Sequence, residues 1–379
     1  MLENLKKFCD SFLEMGVPGF DLAIYKDGEC ILRYMNGFSD LENKIEMNGK
    51  ERYNIYSCSK PITCAAAMQL WEKGLFSLDD KLSDYLPEFE EMTVKTENGI
   101  KKAENPILIR HLFEMTAGFS YDCRSPQLIK AREETNGRCP TREAMKYLAK
   151  EPLIFEPGAR WCYSLCHDVL AALVEVISKQ PFQEYVKENI FKPLGMDDST
   201  FMLPDDELES ITPQYKFENG KAVSIGKPIF TYKLGSEYAS GGAGCISTVD
   251  DYMKFLEALR VGDRILKKET IDLMTTDRLN PEQARAYASP THGYGLGMRT
   301  PKKGSFFTDF GWGGAAGAFL AVDRDNGLSI YYAQQILSSP SQGIRFWIYR
   351  FVMAELMGRK EFAKLIQEEK FPTDYNFTF

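Results

Sequence analysis

The ten residues 54–63, NIYSCSKPIT, set Ser57 and Ser59 on either side of Cys58 and put Lys60 directly before a proline and an alanine-rich run. Side chains three apart share a helix face while adjacent ones diverge, so Lys60 can meet Ser57 but not Ser59. Pro61 is tolerated only in a helix's first turn, which puts the helix start near Ser57. There the free backbone N–H groups and the positive end of the dipole suit a nucleophile whose attack creates an oxyanion. A serine hydroxyl needs a base. The chain has three histidines, His111, His167 and His292, and no G-x-S-x-G elbow. A lysine can replace histidine where burial or a neighbouring cation makes it easier to deprotonate, and the apolar run behind Lys60 offers that packing. Serine capping beside a surface lysine is the ordinary explanation of S-x-x-K, so the motif needs companions.

Working outward, residues 20–35 alternate around Asp27-Gly28 and residues 316–334 around Asn326-Gly327, two hairpin signals near opposite ends of the chain. Between them the pattern turns helical, in CAAAMQLWEKG ending at Gly74 and in LCHDVLAALVEVISKQ with Leu170, Val174 and Ile177 on one stripe. A last helix, GIRFWIYRFVMAELMG, turns Ile344, Ile348, Phe351 and Val352 inward and stops at Gly358. The start, with Leu5, Phe8 and Phe12, reads as an amphipathic helix rather than a secretory signal. The expected fold is α/β (α+β), one antiparallel sheet assembled from both ends and flanked by the terminal helices. A mostly helical lobe, 76–225, is inserted into a sheet lobe of 1–75 plus 226–379. The charged stretch EFEEMTVKTENGIKKAE reads as a solvated excursion of the inserted lobe. The C-terminal tail can close on the body or on a second subunit, which leaves a homo-oligomer open.

Composition excludes several classes. The 379 residues are 44% hydrophobic and 26% charged, an ordinary globular balance. A formal charge of −8 argues against nucleic acid or anionic membrane as partner. No run approaches the roughly 18 apolar residues of a membrane span. Nine scattered cysteines fit reduced thiols and a cytoplasmic location. The nearest approach to a metal motif is Cys162, Cys166 and His167, which lacks a second ligand pair and reads as buried thiols with a helix-surface histidine.

The companions of S-x-x-K are present. FEPGARWCYSL sets Tyr163 directly before a helix, where the dipole favours a phenolate, and FGWGGAAG is a glycine-rich approach into a strand where backbone passes close to something. In this order SCSK, YSL and WGG resemble the three motifs of the serine β-lactamase and penicillin-binding-protein superfamily. HLFEMTAGF, FEPGARWCYS, KPLGMDDSTF, GGAGCISTVDDYMKF and YGLGM resemble its class C β-lactamase-related branch. The resemblance implies Ser57 as nucleophile, Lys60 and Tyr163 as shared base, and an oxyanion hole of the Ser57 and Ala315 N–H groups. It also implies substrate contacts at Leu165, Trp312, Gly313 and Gly314, with no metal or organic cofactor.

Two departures bear on substrate. Class C β-lactamases carry Tyr-x-Asn, whose asparagine binds the lactam side-chain amide, where this chain has Leu165. They usually carry Lys-Thr-Gly, whose cation helps bind the substrate carboxylate, where this chain has Trp312. YSL with WGG is similar to the family VIII carboxylesterases, so the expected activity is cleavage of small carboxylic esters through an acyl-enzyme. A β-lactamase, a D-amino-acid peptidase or amidase, and a non-enzymatic acylated sensor or scaffold are the alternatives.

Overall fold

Asp27 and Gly28 adopt φ of 52° and 91°, the left-handed pair a two-residue hairpin turn needs, and fold β1 (Gly19–Lys26) onto β2 (Glu29–Asp40). The computed structural model describes residues 2–226, 233–369, 371, 375 and 377. Beyond β3 (Ile45–Glu46), the main sheet resumes late in the chain with β4 (His292–Tyr294), β5 (Arg299–Pro301), β6 (Phe310–Gly313), β7 (Phe319–Asp323) and β8 (Leu328–Gln334). The eight-stranded order is β4-β5-β6-β7-β8-β1-β2-β3, antiparallel throughout. β1 pairs with β8 from Phe20↔Gln334 to Lys26↔Leu328, so the two ends of the chain meet in mid-sheet. Mixed α/β architecture with a large antiparallel sheet is what the sequence led one to expect.

The period of two along these strands divides the interior into two cores. Phe20, Leu22, Ile24, Ile330 and Tyr332 face α1 (Glu3–Glu14) and, from the other end of the chain, a helix at Trp347–Glu355. Ala23, Leu320, Val322, Tyr331 and Ala333 face the opposite side, toward α2 (Ser59–Glu72), α3 (Cys166–Ser178) and α4 (Val249–Val261). α2 is buried nearly all round and packs along α3, and the turn that precedes it lies against β6, the third strand of the sheet. The helix at Trp347–Glu355, α5, is followed by α6 (Lys360–Glu368), and Tyr375 then packs its ring 4.8 Å from that of Phe351 and 6.3 Å from that of Phe8. The described part of the tail therefore closes on its own body; residues 370, 372–374, 376, 378 and 379 lie outside the described residues.

Three details differ from the sequence reading. The α-helix begins at Ser59, and Ser57 sits in a preceding 3₁₀ turn, Tyr56–Cys58. The last core helix begins at Trp347 rather than Gly343, because Ser339 and Ser341 hold the preceding residues in turns. The stretch 76–225 also carries two hairpins, Thr93–Thr96 with Gly99–Lys102 and Tyr215–Glu218 with Lys221–Ser224. The first lies within the charged excursion and is anchored by buried Val94. Among the described residues no helix is long and apolar enough to cross a membrane.

Candidate active site

Tyr56, directly before Ser57, has φ 49°, a left-handed conformation costly for an aromatic residue. Buried bonds hold it there. The Ser59 hydroxyl donates to the Tyr56 carbonyl at 2.5 Å, Tyr252 donates to the Cys58 carbonyl at 2.6 Å, and the Tyr56 hydroxyl donates to Gln214 Oε1 at 3.2 Å. The outcome is a sharp step that lifts half-buried Ser57 out of the N-terminal end of α2. Ser59 stays inside, accepting the Cys245 N–H at 2.9 Å.

The Ser57 Oγ accepts from Lys60 Nζ at 3.3 Å and from the Tyr163 hydroxyl. Lys60 is fully buried, and its Nζ also donates to the Gly242 carbonyl at 2.7 Å. The same Nζ lies 4.4 Å from the Tyr163 ring centroid and 5.3 Å from that of Tyr121. Tyr163 stacks on Tyr121 at 5.2 Å and on Trp312 at 5.9 Å, so its phenol is held between two flat faces. Behind Lys60 lies Asp168, fully buried, whose Oδ1 accepts from Tyr238 at 2.7 Å and Ser240 at 2.6 Å. Burial pushes its carboxyl above the usual carboxylate range, against the pull of those hydroxyls and of Lys60. A Cβ on Gly242 would stand 2.6 Å from Asp168 Oδ2 and 3.5 Å from Lys60 Nζ, so only glycine lets that segment pass between them.

The opposite wall of the cleft is the end of β6. Trp312, Gly313, Gly314 and Ala315 line a space of about 520 Å³ together with Ser57, Tyr163, Tyr121, Trp161, Tyr287 and Phe346. A Cβ on Gly314 would come within 2.5 Å of the Ile55 carbonyl, so glycine is what brings this wall against the Ser57 segment. The Ala315 N–H makes no hydrogen bond among the described residues. Arg299 also lines the cleft, tied to Asp309 and, at 2.6 Å, to His292. Burial alone would raise the Asp309 carboxyl; Arg299 and His292 more than reverse this and hold it at about 2.

Ser57, Lys60, Tyr163, Trp312, Gly313, Gly314 and Ala315 thus come together. Leu165 does not join them: it is 2% exposed, packs into the main core, and gives its N–H to the Ser120 carbonyl at 3.1 Å. The expected helix-surface position of His167 is also corrected. α3 is wedged against α2, so His167 is fully buried, its Nε2 3.6 Å from Cys64 Sγ, and burial pushes its pKa down to about 3. His111, half-buried and held by desolvation at about 4, and buried His292 also lie away from Ser57. Sequence reasoning missed Tyr121, Trp161, Asp168, Tyr287, Arg299 and Arg345. Only the glycines of GGAG, residues 241–244, signalled that backbone there must pass something closely.

Comparison with known proteins bears on the family and the fold. The Beta-lactamase family profile matches residues 5–351. Esterase EstB of Burkholderia gladioli is 27% identical over 357 residues, covering 85% of this chain and 87% of its own. Lovastatin esterase of Penicillium rubens is 30% identical over 308 residues, covering 72% and 76%. Among solved structures, EstCE1, a hydrolase with promiscuous acyltransferase activity, superposes with a TM-score of 0.77 at 23% identity over 93% of this chain and 98% of its own. The chain belongs to the beta-lactamase family and is a serine hydrolase related to the family VIII esterases.

Proposed function

We propose that the chain is a carboxylesterase that works through an acyl-Ser57 intermediate. The observation that carries this reading is the Ser57 hydroxyl, which receives both Tyr163 and buried Lys60 at the floor of an aromatic cleft. Ser57 Oγ attacks the ester carbonyl as its proton passes to the Tyr163–Lys60 pair, both of which bond that oxygen. The tetrahedral oxyanion lies between the N–H groups of Ser57 and Ala315. The pair returns the proton to the departing alkoxide, then takes one from the water that attacks the acyl carbon, and Ser57 is regenerated. Trp312, in place of a cation, favours an uncharged ester over a β-lactam carboxylate. Nine unbridged cysteines support a cytoplasmic location, and the lobes 1–75 plus 226–379 and 76–225 remain our division of the chain.

A second reading has an alcohol replace the deacylating water. Monacolin J acid methylbutanoyltransferase of Aspergillus terreus, 29% identical over 265 residues, favours it. Purified protein should be assayed side by side on acetyl and butyryl nitrophenyl esters and on a chromogenic cephalosporin, with and without added alcohol. A specificity constant at least about 10-fold higher on the esters is expected, from loss of the one polar substrate contact that Trp312 replaces, worth about 1–3 kcal/mol. Comparable constants on both would move the chain to the β-lactamase side, and ester product growing with alcohol would make it a transferase.

A further inference from the structure

Arg345 is 3% exposed and lines the cleft beside Gly313 and Gly314, its Nη2 3.0 Å from where a Cβ on Gly313 would be. It makes no ion pair among the described residues, and burial pushes its guanidinium down to about 10. A buried cation without a carboxylate is costly, and here all its hydrogen bonds go to backbone carbonyls. Nε donates to Ala318 at 3.2 Å, Nη1 to Gln342 at 3.0 Å and Nη2 to Gly314 at 3.2 Å.

The Gly314 carbonyl and the Ala315 N–H are the two ends of one planar peptide, so fixing the direction of the first fixes that of the second. The same carbonyl accepts from Gly317 N at 3.0 Å, and Gly314 N donates to Ala318 at 2.8 Å, closing the turn 314–318 that the guanidinium spans. A charged donor on the carbonyl also draws electrons from the N–H, and linked hydrogen bonds strengthen one another by about 10–30%.

We propose that Arg345 is a positioning residue for acyl transfer: through the Gly314 carbonyl, its guanidinium aims and polarises the Ala315 N–H that receives the oxyanion. This rests on the cleft being the acyl-transfer site. It assigns to Arg345 an effect on the transition state and none on binding of a neutral ester.

The test uses Arg345→Lys and Arg345→Gln in the full chain, with a neutral nitrophenyl ester and with an ester bearing a carboxylate. Removing one oxyanion donor lowers kcat about 10²–10³-fold, so misaiming one should lower it about 10–10²-fold, with KM on the neutral ester moved less than about threefold. Infrared difference spectra of the acyl-enzyme, trapped with a slowly hydrolysed ester, should show the acyl carbonyl stretch at higher wavenumber in both variants. An unchanged kcat or an unchanged carbonyl stretch overturns the proposal. So does a loss confined to KM on the carboxylate-bearing ester, which would make Arg345 an anion-binding group. If neither variant folds by circular dichroism, the residue serves the fold and the proposal falls. If wild-type Ser57 is never acylated, the esterase reading falls and takes this inference with it.

Discussion

Ser57 and Ser59 are two residues apart, and their hydroxyls point to opposite duties. Ser57→Ala should abolish hydrolysis and labelling by a serine-directed phosphonate, with the adduct of the unmodified chain mapping to Ser57. Ser59→Ala should keep more than about a tenth of kcat yet lose about 1–3 kcal/mol of stability, because the Tyr56 carbonyl and the Cys245 N–H lose a buried partner. A thermal melt beside the kinetics checks it, and an adduct on Ser59 would sink the assignment. Lys60→Ala and Tyr163→Phe should each lower kcat at least about 10²-fold, a usual general-base contribution. Since both side chains bond the same Oγ, the double variant should lose far less than the product of the two. Full additivity in the four-way comparison would show that they serve separate steps.

At the scale of elements, the two departures from the β-lactamase motifs part company. Trp312, next to last in β6, faces the cleft and stacks on Tyr163, whereas Leu165 directly precedes α3 with its side chain in the core. Trp312→Lys should therefore narrow the preference for neutral esters over a cephalosporin. Leu165→Asn should leave that ratio unchanged and lower the melting temperature, since an amide buried without partners costs about 1–3 kcal/mol. Measuring both specificity constants and a melt for each variant separates the two, and a ratio that moves with Leu165→Asn would return that position to the substrate site. α3 was legible from its apolar stripe, but its depth was not. That depth depends on α2 packing against it, and it is what buries Leu165, Cys166, His167 and Asp168 together.

For the whole molecule, buried charge gives a stability that depends on pH. Glu114 is 6% exposed, and burial raises its carboxyl from 4.5 to about 7, Arg278 and Arg110 opposing. The folded state then binds more protons than the unfolded chain between those values, so stability from this group is greatest below about 4.5 and is lost as pH rises to 7. Glu114→Gln should flatten that slope and stabilise the protein by about 1–3 kcal/mol at pH 8, read by denaturant melts at pH 5 and 8. A variant no more stable at pH 8 than at pH 5, relative to the parent, would contradict it. Much of the architecture was already legible: turn dipeptides such as Asp27-Gly28 act locally, alternation of two sorts each strand's faces, and three-residue spacing pairs Lys60 with Ser57 alone. The sequence by itself therefore determined the hairpins, the sheet built from both chain ends, and the candidate Ser57, Lys60 and Tyr163. Only the tertiary structure decided what surrounds them, namely the Tyr121–Tyr163–Trp312 stack, Asp168 behind Lys60, and Arg345 beneath Gly314. Those contacts join residues as far apart as Tyr163 and Trp312, and no local periodicity carries information about which distant side chain a folded chain brings into reach.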